Sequence, residues 1–220
     1  LVPAGRPFVL VSLELADLPC HKDVDTVRAI LASPGYRARM QAAHSRLECT
    51  NPLYSVVIYS KTFLLEVAAL LNPFRARTFM WIDAGLSRYF GDFDLRRPLS
   101  DAGVPAGRFI ILLEERAFAD EHFVARDYEH FVWHEKNYVK AGMMGGDLAA
   151  IRSVNDELQR DWDAMLREKQ AVSNEQHGLV LLYFRRPELF HLWRHVTNQN
   201  ENMDDFLQFL SNTSTTTAAV

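Results

Sequence analysis

Cysteine is scarce: Cys20 and Cys49 are the two in 220 residues, too few for a disulfide framework or a thiolate metal cluster. Both are expected to be free and structural, which favours a reducing compartment. A basic excess is also missing, since 24 Lys and Arg face 28 Asp and Glu for a net charge of −4. That balance excludes a nucleic-acid binder working by phosphate neutralisation. No uninterrupted apolar run reaches the ~18 residues of a membrane span, and no signal-peptide pattern opens the chain. Neither a Walker loop nor a dinucleotide-binding glycine fingerprint is present, and no internal repeat or linker divides the chain. What remains is ordinary globular composition, 48% hydrophobic and 24% charged, expected as one α/β domain over residues 1–210. The Ser/Thr/Ala tail at 211–220 is expected to be disordered.

The stretch that organises the chain is Thr78-Phe79-Met80-Trp81-Ile82-Asp83-Ala84-Gly85. It reads as a short buried strand that stops on a carboxylate followed by two small residues. Open α/β sheets build sites by delivering such a group to a strand's carboxyl end, with glycine allowing close approach. An aspartate that merely caps a turn is the alternative reading.

Around it, residues 8–13 read as a first strand and residues 24–31 as a short helix. Residues 54–71 carry the clearest helical periodicity, stopped by Asn72-Pro73. Residues 77–82 and 108–113 are expected to be strands of one central sheet, with the 54–71 helix packed on its face. His130 and His134, spaced i, i+4, are candidate metal ligands on one helix face. Their glutamate follows the pair, which is the wrong place for a zinc-protease motif. In residues 138–147 a short strand-like run meets the double glycine Gly145-Gly146, after which Asp147 caps a long helix to about Lys169. Backbone amides in a glycine turn at a helix start can hold anionic or hydroxyl-rich ligands. Ser173-Asn174-Glu175-Gln176 opens another helix, where an acid in the first turn often only complements the dipole.

Taken in order, Tyr54, Ser60-Lys61, Asn72-Pro73-Phe74, Trp81-Ile82-Asp83-Ala84-Gly85, Arg88, Ala141-Gly142, Gly145-Gly146 and Glu175-Gln176 make residues 36–192 resemble the HtrL/YibB-like family. That resemblance implies a GT-A-like, Rossmann-type mixed sheet flanked by helices and transfer of a sugar from a nucleotide-sugar donor to a glycan or lipid-linked glycan. On it, Lys61, Asp83, Ala84, Gly85, Arg88, Gly145 and Gly146 would bind the donor, Glu175 and Gln176 the acceptor, and Glu175 and Asp83 would be catalytic. Mn²⁺ or Mg²⁺ would be held by Asp83 with His191 or His195. Two departures stand out. Gly85 occupies the place of the second aspartate in Asp-x-Asp, and Asn174-Glu175 carries one carboxylate where related transferases have two. A metal-independent transferase, or an inactive sugar-nucleotide or glycan binder on the same fold, is therefore the competing expectation. A nucleotidyltransferase ranks last, because no basic glycine-rich loop lies near residues 9–13. The expected location is the cytoplasm, at the inner face of a membrane, or the Golgi lumen if an anchor precedes Leu1.

Overall fold

The computed structural model describes residues 7–41, 45–85, 104–134 and 136–195, with side chains as far as Trp193. Arg88, the side chain of His195 and the tail at 211–220 lie outside the described residues.

Strands β1 (Phe79–Ile82), β2 (Phe109–Glu114), β3 (Val139–Gly146) and β4 (Phe190–His195) form a mixed sheet in the order β1-β3-β2-β4. β3 runs antiparallel to both β1 and β2, and β2 and β4 are parallel. β1, β2 and β4 therefore all end at the same edge. The two strands expected from the apolar runs are present. β4 is a strand that sequence reasoning missed, because Phe-His-Leu-Trp-Arg-His mixes charge with apolar groups and shows no strict alternation. Residues 8–13 are a correction. They form no strand, and Phe8, Val9 and Leu10 are exposed. β propensity reports how well a side chain fits a pleated surface, and without a partner strand such a run has nothing to pair with.

One sheet face carries Phe109, Ile111 and Leu113 of β2 with Phe79 and Trp81 of β1, and it packs on the helices. Helices α1 (Val24–Ala32), α2 (Pro34–Arg39) and α3 (Leu47–Thr50) precede α4 (Pro52–Tyr59) and α5 (Lys61–Leu71). The periodic stretch 54–71 is thus two helices. At Ser60 the hydroxyl donates back to the Val56 carbonyl at 2.7 Å, and the Ser60 amide turns to the Val57 carbonyl at 3.1 Å. Such back-bonding competes with the helical ladder and bends it. Pro52–Leu71 as a whole is long and apolar enough to cross a membrane by length and composition. Half of it is buried inside the fold, and the break places Lys61 among buried groups, so core packing accounts for its apolarity.

α5 ends where Asn72 takes a left-handed backbone (φ 35°) and its side chain pairs with both the amide and the carbonyl of Ala76. Asparagine is the commonest residue after glycine for that turn. Beyond β2, the short helices α6 (Glu121–Val124) and α7 (Tyr128–Trp133) lead to β3. Then α8 (Leu148–Ala164), capped by Asp147 accepting from the Ala150 amide, continues through a π-helical turn over Met165–Lys169. The expected end near Lys169 holds. α9 (Glu175–Arg185) closes the helical layer, with Asn174 as its cap.

Gly145 and Gly146 are buried in the sheet. A Cβ on Gly145 would stand 2.0 Å from the Phe79 carbonyl oxygen, a backbone atom that cannot swing aside. Overpacking at such a site costs about 1–3 kcal/mol or more, and in a chain of this size each kcal/mol moves Tm by roughly 2–4 °C. Gly145→Ala is expected to lower the melting temperature by several degrees. Gly35→Ala, where nothing lies within 4 Å, should leave it unchanged or slightly raised. Equal melting curves for the two variants would contradict this packing.

Candidate functional site

β1 delivers Asp83 just past its last paired residue, where the Asp83 amide still donates to the Gly142 carbonyl at 2.9 Å. The register with β2 slips in this region. Ile111 faces Met144, yet the next residue, Leu112, faces Lys140. The extra length of β3, Ala141 to Met143, bulges beside Asp83, the kind of irregularity that re-aims groups next to sites. Alternation puts Asp83 on the same face as Trp81, and the Trp81 indole donates to its carboxylate at 2.6 Å.

Two helices reach the same point. Lys61, the first residue of α5, is 8% exposed, and Glu175, the first residue of α9, is 6% exposed. The Lys61 ammonium donates to Glu175 at 2.8 Å and lies 3.0 Å from one oxygen of Asp83 and 3.1 Å from the other. The Asp83 side chain keeps 38% of its surface open, so this triad has one solvent-facing member. Burial works against the Lys61 charge, but the carboxylates of Glu175 and Asp83 more than compensate and hold its pKa above the ordinary value. Burial raises Glu175, against the lowering by Lys61. The result is a fixed ammonium beside a carboxylate whose proton affinity is increased, and proton transfer needs such a group. Tyr54 on α4 lies near enough to feel Glu175 and Lys61, and burial raises its phenol.

The neighbouring residues fix this geometry. Thr62 donates to Asn155, whose amide donates to Glu66 at 2.8 Å, fastening α5 to α8. Asn174 caps α9 by accepting from the His177 amide, and its own amide donates to Asn137 at 3.1 Å. Beside Glu175, Gln176 keeps a buried carbonyl oxygen that has no partner among the described residues. On the other side of this helix start, a cavity of about 380 Å³ lined by Arg28, Arg37 and Thr50 shares Tyr36 and Cys49 with a smaller chamber bordered by Glu48, Asn174 and His177.

Of the residues expected in the site, Lys61, Asp83 and Glu175 are brought together. Ala84 and Gly85 continue from Asp83 as exposed residues, and Gln176 adjoins Glu175. Gly145 and Gly146 are a correction: they pair with Met80 and Phe79 at the opposite end of β1, and strand packing rather than ligand approach explains them. Three residues along a strand is about 10 Å. His191 is another correction. It lies on β4, three strand spacings from β1 in the order β1-β3-β2-β4, or roughly 14 Å, and cannot share a metal with Asp83. Mn²⁺ or Mg²⁺ does not fit the remaining donors either. The two carboxylates at that point are already bridged by the Lys61 ammonium, which stands where a dication would have to stand.

A buried charge that loses its partner is costly, on the order of 3–5 kcal/mol. Lys61→Met is expected to destabilise the fold by about that amount. Adding Glu175→Gln should recover much of the loss, because the stranded carboxylate goes too. Chemical denaturation of the two single variants and the double variant reads the coupling, and simple additivity would mean that the bridge is not formed.

His177, 3% exposed, has no partner among the described residues for either ring nitrogen, and burial pushes its pKa down from 6.5 to about 4. The unfolded chain therefore takes up a proton that the folded chain refuses. Its contribution to stability is whole above pH 6.5 and is lost as pH falls toward 4, by roughly 3 kcal/mol. His177→Leu should flatten that acid limb in unfolding measurements between pH 7 and 4. An unchanged limb would assign the acid sensitivity elsewhere.

Comparison with known proteins adds a family and no activity. No curated protein and no solved structure matches the chain. The family model of HtrL_YibB, described as a bacterial protein of unknown function, matches residues 9–211. With that match spanning almost the whole length, the chain belongs to the HtrL_YibB family.

Proposed function

We propose that this chain is a glycosyltransferase that moves a sugar from a nucleotide-sugar donor to a hydroxyl of a glycan or lipid-linked glycan, on a GT-A-like variant of the mixed sheet. The single observation that carries the reading is the Lys61 ammonium held between Asp83 and Glu175 at the carboxyl edge of β1. In such a transfer the bond from the anomeric carbon to the donor phosphate oxygen breaks, and its electron pair leaves with the diphosphate. The acceptor oxygen bonds to the same carbon and gives up its proton. Glu175, with its raised proton affinity, is suited to take that proton. Lys61 supplies positive charge on the departing side, where a fixed cation acts on developing negative charge. Asp83 holds Lys61 in place and offers its open oxygens to donor hydroxyls. Gln176 offers its unpartnered carbonyl oxygen to an acceptor hydroxyl. A base on the acceptor implies inversion at the anomeric carbon.

A second reading, a sugar-nucleotide or glycan binder without catalysis, also has an observation in its favour. The charge of Lys61 is already matched by two carboxylates, and Gly85 leaves the motif one aspartate short.

A panel of nucleotide sugars, scored for nucleoside diphosphate release with and without acceptor, separates the two. Under the transferase reading, Asp83→Asn loses on the order of 10²–10³ in rate, the usual scale for removing one transition-state electrostatic contact. Glu175→Gln should lose turnover while keeping nucleotide affinity. The acid limb of the rate profile should sit above the ordinary glutamate range, because the base form appears only above a raised pKa. No turnover with any donor, together with tight nucleotide-sugar binding in calorimetry, would establish the binder instead.

A further inference from the structure

The chain that joins α6 to α7 folds back sharply. Arg126 takes a left-handed backbone (φ 53°), and the Asp127 amide donates to the His122 carbonyl at 2.8 Å. The turn lays the His122 ring flat on His130, with centroids 3.6 Å apart and planes 7° apart. His130 in turn stacks on His134 at 3.8 Å. Beneath this stack the same two helices send Phe123 and Phe131 into an aromatic cluster with Tyr138 and Phe184. Asp120 caps α6 and takes further bonds of 2.5 Å from both Lys136 and Tyr138. The histidines therefore stand on a rigid platform.

His122, Asp127 and His130 each offer one ligand atom, and these atoms all lie within 4.8 Å of one another. A carboxylate oxygen of Asp127 is 3.0 Å from Nδ1 of His122. Nε2 of His130 is buried and has no hydrogen-bond partner among the described residues. Such an orphan normally costs about 1–3 kcal/mol, and in a native structure it asks for a water, an ion or a role.

We propose that His122, Asp127 and His130 bind a divalent d-block cation of the zinc class. The donor set points there: imidazole nitrogens suit zinc, cobalt, nickel and ferrous iron, while calcium and magnesium prefer all-oxygen shells. Ligand atoms about 2.1 Å from one ion must come within roughly 3–3.5 Å of each other. His122 and Asp127 already meet that spacing, and His130, whose ligand atom lies within 4.8 Å of theirs, has to tilt out of its stack to close the rest. Neutral imidazole is the ligating form. His134 is not a ligand in this arrangement. Its Nδ1 lies 3.0 Å from the His130 carbonyl, and its ring braces His130 from the far side. Two histidines and one carboxylate leave coordination positions for water. The i, i+4 pair His130 and His134 suggested by the sequence is thus replaced by His122 and His130, which are eight residues apart.

The test is direct titration of the full chain with Zn²⁺, and with Co²⁺ as a visible-absorbing stand-in. About one equivalent is expected, with d–d bands for Co²⁺ and histidine side-chain ¹⁵N shifts on Zn²⁺ addition confined to His122, His130 and the stacked His134. His122→Asn and His130→Asn should each weaken binding on the order of 100-fold or more, with His191→Asn unchanged. Binding of neither ion at micromolar concentration, shifts centred on His21 or His191, or wild-type affinity in the His122 and His130 variants would each overturn the assignment. The wild-type spectra decide the matter even if a variant fails to fold.

Discussion

A lysine ammonium almost removed from water must be surrounded by anions, and Lys61 obtains them from two elements that are far apart in sequence. Asp83 comes from the end of an edge strand and Glu175 from the first turn of a helix. Coulomb attraction at about 3 Å is large once solvent is excluded, but so is the cost of desolvating three charges. The arrangement therefore says little about net stability and much about position. The bridge ties β1, α5 and α9 together at one point. The Ser60 break, the β3 bulge beside Asp83 and the Asn174 cap are the local devices that bring the three groups to one point.

The parts legible in the sequence were those encoded locally. Trp81-Ile82-Asp83 announces a strand end because aromatic and β-branched residues stop on a carboxylate. Asp147 and Asn174 announce helix starts because their short acceptor side chains reach back to amides two or three residues on. Asn72-Pro73 announces a helix end because the residue before a proline is pushed out of the helical region. Lys61 and Glu175 entered through the family pattern; nothing in their own neighbourhoods says that they touch.

What failed was pairing between distant segments. Residues 8–13 have every local mark of a strand, yet whether a strand forms depends on an available partner edge. Gly145 and Gly146 looked like a ligand cradle, because a double glycine before a capped helix fits that pattern. Strand contact explains them instead: the Phe79 carbonyl on β1 leaves no room for a side chain at Gly145, and the Arg108 carbonyl leaves none at Gly146. Phe190 to His195 hides β4 behind a mixed composition, since a strand parallel to β2 is specified by what lies beside it. His122 was invisible as a partner of His130 for a related reason: the left-handed Arg126 turn that stacks them is an unfavourable backbone state for arginine and has no composition signal.

A fixed lysine and a divalent cation differ physically as sources of positive charge. A metal is delivered by the medium, must be held by several oxygens, and leaves when they protonate. An ammonium is covalently attached, brings one unit of charge, and spends it on the carboxylates that hold it. For Lys61 to act on a leaving diphosphate, one of those carboxylates has to release it. Asp83, with 38% of its side chain open, is the member that can turn toward water at small cost. Glu175, nearly buried, is not. The gain of a proton by Glu175 weakens the second hold on Lys61 in the same step, because a neutral carboxyl attracts an ammonium far less than a carboxylate does. Under the proposed transfer, base and cation would be coupled through one shared hydrogen bond: taking the acceptor's proton would free positive charge for the leaving group. That linkage is the physical reason for reading the triad as one working unit rather than as a surface ion pair.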